Sequence, residues 1–167
     1  MKLKVFLWLA IHVRLQTGAA LKQKNWKGSA NCHICVAVES VDHIFFRCVV
    51  ARFVWACFKE IMGWDRTPTG LDDLFDHWIP LGCADYNLKL SNFTIIAWVL
   101  WINRNNSRIQ RIFLASPVML IFRIDSLMQR WKVLLRKPDQ EKTGVLRRKI
   151  AYWLQNFEMI RPRGEDD

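Results

Sequence analysis

Apolar residues along this chain recur mostly three and four positions apart, the spacing of helices that bury one face. Between Val49 and Met62, the residues Phe53, Val54, Cys57, Phe58, Ile61 and Met62 fall on one side, and Gly63 follows as a stop signal, so a helix is predicted there. Leu88–Arg111 reads as a long helix. Its middle, NFTIIAWVLWINRN, is apolar nearly all round and belongs at the centre of the core. Ser116-Pro117 has the pattern of a capped start, with Pro at the first helical position, and opens a helix running to about Leu135. Lys137–Gly144 reads as a polar linker, Val145–Ile160 as a last amphipathic, basic helix, and Glu165–Asp167 as an acidic tail.

Shorter elements fill the rest. Lys4–Val13 is apolar and compact, either a short buried helix or a strand. Thr17 is placed to cap a short helix carrying Ala19, Ala20 and Leu21, and Asn25–Asn31 reads as a loop. Ser40 or Asp42 caps a short helix through His43, Ile44, Phe45, Phe46 and Cys48. Thr67-Pro68-Thr69-Gly70 is a break, Leu71–Ile79 a short amphipathic helix, and Pro80–Tyr86 a loop. No apolar stretch reaches the length of about 20 residues that a membrane span needs.

Composition adds a core and a partner class. Half of the 167 residues are hydrophobic, enough for one domain or one domain with a small appendage. The formal charge of +10 favours polyanionic partners, nucleic acid or an acidic membrane surface. Lys2, Lys4, Arg14, Lys22, Lys24 and Lys27 stand in the first 31 residues without an acid among them. Acids outnumber bases from Glu39 to Asp76, and bases dominate again from Arg104 to Arg163, so a polyanion would meet the two flanks. The start superficially resembles a secretory signal. Its apolar run, Val5 to Ile11, is short and followed at once by His12 and Arg14, and an odd total of five cysteines fits a disulfide framework poorly. A nuclear or cytoplasmic location is expected over secretion.

CHICVAVESVDHIFFRC, residues 32–48, concentrates three of those cysteines with one of the four histidines. The spacing Cys32-x2-Cys35-x7-His43-x4-Cys48 suits a tetrahedral Zn²⁺, two sulfurs coming from a tight turn and two ligands from a helical turn. Four protein ligands leave no position for a reactive water, so the ion would be structural. The alternatives are ordinary buried thiols, or His33 in place of His43, although a residue inside the Cys-x2-Cys turn normally points away. Cys57 and Cys83 read as core thiols.

KVFLWLAIHVRLQTGAALKQK followed by CHIC…VDHIFFRCVVARFVW closely resembles the zinc-binding domain at the C-terminal end of plant LINE-type (non-LTR) retrotransposon reverse transcriptases. The resemblance rests on Phe6-Leu7-Trp8, Arg14-Leu15 with Thr17, Cys32-x2-Cys35, Val41-Asp42-His43, Cys48, and Ala51-Arg52 with Trp55. Trp98-x2-Trp101-x2-Arg104-Asn105 resembles the helix that follows the zinc segment in these elements, and Trp131 falls where a further Trp is usual. The resemblance spans about residues 3–135. It departs at Gln16, where the family usually has Pro, and at Val36, where it often has Gly.

The resemblance implies a parent enzyme with a polymerase, but the residues for that chemistry are missing here. Leu71-Asp72-Asp73-Leu74 imitates a metal-binding carboxylate pair by letter only, Asp85-Tyr86 no better, and no phosphate-binding loop or Ser/His/Asp set occurs. The expected protein is therefore mainly α and not an enzyme: a helical domain with a small Cys-Cys-His-Cys zinc knuckle near its N-terminal third. Its parts would be a zinc segment with flanking helices (1–63), a helical region packed with it (64–136), and a linker, basic helix and acidic tail (137–167). The expected partner is single-stranded nucleic acid, RNA or DNA, met by Lys22, Lys24, Lys27 and Arg47 around the cluster, with Trp26 to stack a base and Arg104, Arg108 and Arg111 to reach phosphates. For Trp26 the competing reading is packing against the cluster, and for the arginines a solvated helix face. A protein-interaction module, self-associating or binding a partner through exposed apolar surface, and a translated relic without a role are the alternative functions.

Overall fold

The computed structural model describes residues 2–160, so the acidic tail Glu165–Asp167 lies outside the described residues. Helices α1 (Lys2–Ile11) and α2 (Gly18–Gln23) precede the Cys/His segment. A wide π-helical turn, His43–Arg47, leads into α3 (Val49–Met62). A single turn α4 (Leu71–Asp73) widens into a second π-helical turn, Leu74–Trp78. Helices α5 (Tyr86–Arg108), α6 (Val118–Trp131) and α7 (Lys137–Ile160) complete the order, with a 3₁₀ turn at Lys132–Leu134. No strand forms among the described residues, only an isolated antiparallel bridge between Asn31 and Val38. The fold is mainly α, as the apolar spacing predicts.

Helix α5 is the axis of the molecule. It packs on α1, on the turn His43–Arg47 and on α6, while α7 lies across α3 and α6. The apolar run of α5 is buried at Phe93, Ile95, Ile96, Ala97, Val99 and Leu100, against Leu120, Ile121 and Ile124 of α6. Phe46 lies between the rings of Trp55 and Phe93, stacked at 5.9 and 6.1 Å, and Phe6 of α1 meets Trp98 edge-on at 5.0 Å. Aromatic pairs of this geometry add about 0.5–1.5 kcal/mol each beyond area burial. The buried Trp55 indole donates to the Phe45 carbonyl at 2.7 Å, which ties α3 to the turn before it.

Local chemistry sets the boundaries. Thr17 Oγ1 accepts from the Ala20 amide and caps α2. Ser40 Oγ accepts from the His43 amide, so Ser40 takes the capping role. Asp42 instead accepts from the Leu71 amide at 3.0 Å and anchors the distant start of α4. Gly63 ends α3 at φ 67°, the left-handed conformation that favours glycine. Lys4–Val13 resolves as helix over most of its length, with Phe6 and Ala10 buried but Val5 and Trp8 exposed.

The expected linker Lys137–Gly144 is helix. Helix α7 starts at Lys137 and runs unbroken through Gly144. Pro138 falls in the first turn, where no amide donor is missed. The Gln140 amide bonds the Arg136 carbonyl, Thr143 is buried with its hydroxyl on the Asp139 carbonyl, and Arg147 grips Asp125 of α6 through two bonds of 2.8 and 2.9 Å. These contacts hold a polar segment in a helix that its composition alone does not ask for. Gly144 weakens that helix, and a Cβ there would meet nothing nearer than the flexible Lys132 Nζ at 3.4 Å. Gly144→Ala is expected to stabilise the protein by about 0.5–1 kcal/mol, read as a higher midpoint in urea unfolding.

Candidate metal centre and the ion cluster behind it

The segment from Ala30 to Glu39 folds back on itself. The Cys32 amide donates to the Ala37 carbonyl at 2.8 Å and the Glu39 amide to the Ala30 carbonyl at 3.0 Å. Inside this turn the Ile34 amide donates to Cys32 Sγ at 3.4 Å, orienting the sulfur. The reversal is completed by Val36 at φ 64°. A β-branched residue is strained there, where glycine would adopt the same backbone freely.

His43 and Cys48 come from the second element. On an α-helix, residues five apart diverge by roughly 140°. The wider turn His43–Arg47, closed by the Cys48 amide on the His43 carbonyl at 2.7 Å, removes much of that offset and points both side chains to one side. The structure thus brings Cys32, Cys35, His43 and Cys48 together, their ligand atoms all within 4.8 Å of one another. Cys32 and Cys48 sulfurs are 4.0 Å apart, and Cys35 Sγ lies 3.3 Å from His43 Nε2. A zinc tetrahedron with Zn–S of about 2.3 Å and Zn–N of about 2.0–2.1 Å has edges of about 3.5–3.8 Å, so the four atoms fit one Zn²⁺. His33 is outside the set: it is exposed, and its Nδ1 is 3.0 Å from Arg111 Nη1. The hydrogen bond between Cys48 and Cys32 holds Cys32 well below the usual thiol range, and the same bond and burial push Cys48 up. Such a pair gives up its shared proton when metal arrives. Cys57 is a core thiol, pushed up to about 12 by burial and the nearby Glu60. Cys83 is only partly buried, in the loop before α5, with Lys89 Nζ at 3.9 Å.

Behind the cluster sits a residue that the sequence reading passes over. Glu39 is the first acid of the chain and only 1 % exposed. Its Oε1 accepts from the Gly18 amide at 2.8 Å and from Arg104 Nη2 at 2.5 Å, and Arg108 Nη1 lies 3.1 Å away. Gly18 is required for this approach, because a Cβ there would stand 2.5 Å from the Ala30 carbonyl oxygen. Arg104 also bonds Asn105 and the Gln16 carbonyl, and Arg108 bonds the Asn31 and Ser29 carbonyls. Trp101 and Trp26 cover the two guanidinium groups at 4.9 and 5.3 Å from ring centroid to carbon.

This placement corrects the reading of the α5 arginines. Arg104 and Arg108 are buried, on neither a solvated face nor a phosphate-contacting one, because a buried carboxylate and four backbone or side-chain oxygens take their donors. Arg111, one turn on, is exposed at the knuckle. Trp26 is half-exposed, but its ring packs on Gly28 and carries Arg108. Lys22, Lys24 and Lys27 are exposed, and Arg47 is exposed with weak contacts to Thr69 and Asp42. Nothing local in the chain singles out Glu39: Asp42 stands between the same two ligands, and Arg104 is 65 residues away.

Residues 1–55 match the family described as zinc-binding in reverse transcriptase. That is 55 of 167 residues, and they hold all four ligands and Glu39. The first third of the chain is therefore similar to the zinc-binding domain of reverse transcriptases, a region distinct from the polymerase. The matched segment stops within α3 at Trp55, short of the arginines that complete its ion cluster. No curated protein and no solved structure matches the chain.

Two substitutions in the zinc-binding segment separate strain from charge. Val36→Gly relieves a left-handed residue worth about 1–2 kcal/mol against about 0.5–1 kcal/mol of extra chain entropy, so a small gain in unfolding free energy is expected, with metal content unchanged. Glu39→Gln keeps the shape but leaves two buried guanidinium groups without a counter-charge, a loss of about 3–5 kcal/mol. Urea titrations of both variants beside the parent measure the two effects.

Proposed function

We propose that this chain is a zinc-stabilised nucleic-acid-binding module without catalytic activity of its own, derived from the C-terminal part of a plant LINE-type retrotransposon reverse transcriptase. The observation that carries this reading is the closed Cys-Cys-His-Cys cluster, lying wholly within the segment similar to the reverse-transcriptase family. Zn²⁺, when bound, supplies cross-linking free energy to a small segment. Cys32 and Cys35 hold it from the turn, His43 and Cys48 from the π-helical element, and Glu39 steadies the loop between the two pairs.

The nucleic-acid part rests on charge. The exposed Lys22, Lys24 and Lys27 stand before the cluster, Arg47 within its helical half, and Arg111 against its turn. Single strands suit such a surface because their unpaired bases and phosphates are both open to it. The absence of catalysis is supported by Asp73, whose carboxylate is taken up by Arg66, the Thr69 amide and His77 rather than paired with Asp72. A nuclear or cytoplasmic site of action follows from such a partner, and no helix among the described residues is long and apolar enough to cross a membrane. A protein-interaction module is the second reading. It is favoured by Ile109, Ile112 and Phe113, large apolar residues exposed together after α5.

Elemental analysis of chelator-washed protein is expected to give one zinc per chain, abolished in Cys48→Ala. Binding to single-stranded RNA and DNA over a salt series is expected to weaken with a log–log slope of about −0.7 per phosphate contact. Each of Lys22→Gln, Lys24→Gln and Lys27→Gln should make that slope shallower by part of this amount. Salt-insensitive self-association without strand binding would favour the second reading.

A further inference from the structure

The basic N-terminal flank carries an aromatic feature on the outer face of α1. Phe6 and Ala10 point into the core, and the opposite side presents Lys4, Val5, Trp8 and His12, all exposed. Lys4, Trp8 and His12 are spaced four apart and lie in one row along the helix. Trp8 is 47 % exposed, an unusual position for the largest side chain. Its ring stacks on the His12 imidazole at 4.5 Å between centroids, with the planes 29° apart. The His12 ring is held in that pose by its Nδ1, 2.8 Å from the Trp8 carbonyl oxygen. The chain then reverses: the Arg14 amide bonds the Leu9 carbonyl at 2.7 Å, which brings the Arg14 guanidinium to 5.2 Å from the Trp8 ring centre.

We propose that Trp8, His12 and Arg14 form a stacking platform for an unpaired base of single-stranded nucleic acid, a site separate from the lysines beside the cluster. The platform is a solvent-exposed stack of two aromatic rings with a guanidinium group beside it, the combination of π-surface and cation with which sequence-tolerant single-strand binders hold bases. Charge selects the occupant. The first 31 residues hold six lysines and arginines and no acid, which disfavours a basic or neutral protein face and suits a phosphate backbone. The surface also continues to the second basic group. Two residues beyond Arg14, Gln16 accepts from Lys24 Nζ at 3.4 Å, so a cation of the second basic group reaches the segment that leaves the platform. Arg104 donates to the Gln16 carbonyl from behind and fixes this junction to the buried ion cluster.

This inference rests on the nucleic-acid reading above, and the test separates the two. Short oligouridylate and oligothymidylate strands, and the same strands with abasic positions, are titrated against the full chain and against Trp8→Ala and Arg14→Gln. Zinc content and unfolding midpoint serve as controls for folding. Trp8→Ala is expected to bind the normal strands about 5- to 100-fold more weakly, with the salt slope unchanged. The abasic strands should bind parent and Trp8→Ala equally. Arg14→Gln is expected to weaken binding and make the salt slope shallower. Equal affinity of the parent and Trp8→Ala for normal strands overturns the platform while leaving the nucleic-acid reading in place. Loss of self-association in Trp8→Ala with unchanged strand binding assigns the face to a protein contact and overturns it as well. Absence of salt-dependent binding in the parent chain overturns both.

Discussion

The carboxylate of Glu39 joins two parts of the molecule that have no other ionic link among the described residues. It lies between the two halves of the metal-binding segment, receives the start of α2 through Gly18, and meets Arg104 and Arg108 of the central helix. A carboxylate this deeply buried is tolerable only because its charge is answered at hydrogen-bonding distance. The ledger of charge extends further. Two guanidinium groups against one carboxylate leave one positive charge in excess. Three thiolates around Zn²⁺ leave one negative. Both groups line the same crevice, which holds Cys32, His43 and Cys48 together with Glu39, Arg104 and Arg108. Loaded with metal, the two clusters are together neutral, so each makes the other cheaper to bury.

This arrangement gives the tryptophans and the Arg-Asn pair of α5 their places. Trp98 receives Phe6, Trp101 covers Arg104, and Asn105 takes an Arg104 donor, so this stretch of α5 receives the Cys/His segment and the helix before it. The family match covers residues 1–55, yet the unit that folds together includes α5. A boundary drawn by sequence similarity and a boundary drawn by burial differ here by about a third of the chain.

What was legible in the sequence was local. The ligand spacing, the Thr17 cap and the span Val49–Met62 all depend on residues within a few positions of one another. Glu39 with Arg104 was not legible, because its partners are 65 residues apart and an arginine at every fourth position looks the same whether it faces water or a buried acid. The helix through Lys137–Gly144 was hidden for a related reason: its support is the Arg147–Asp125 pair across to α6 and a buried Thr143, neither of which local propensity can register. Val36 is the reverse case, a backbone conformation at odds with its own side chain.

The long separation between Glu39 and its arginines has a consequence during synthesis. At roughly 5–20 residues per second, the stretch from Cys48 to Arg108 takes roughly 3–12 s to be added. The metal ligands are therefore all available while Glu39 has the Gly18 amide but neither of its arginines. A metal ion could be captured before α5 exists, and the faces of Phe45 and Phe46 that meet Phe93 wait uncovered until that helix arrives. A bound ion would then tie the two halves of the Cys/His segment before the central helix is made, and the pace of translation would set how long these aromatic faces stay exposed.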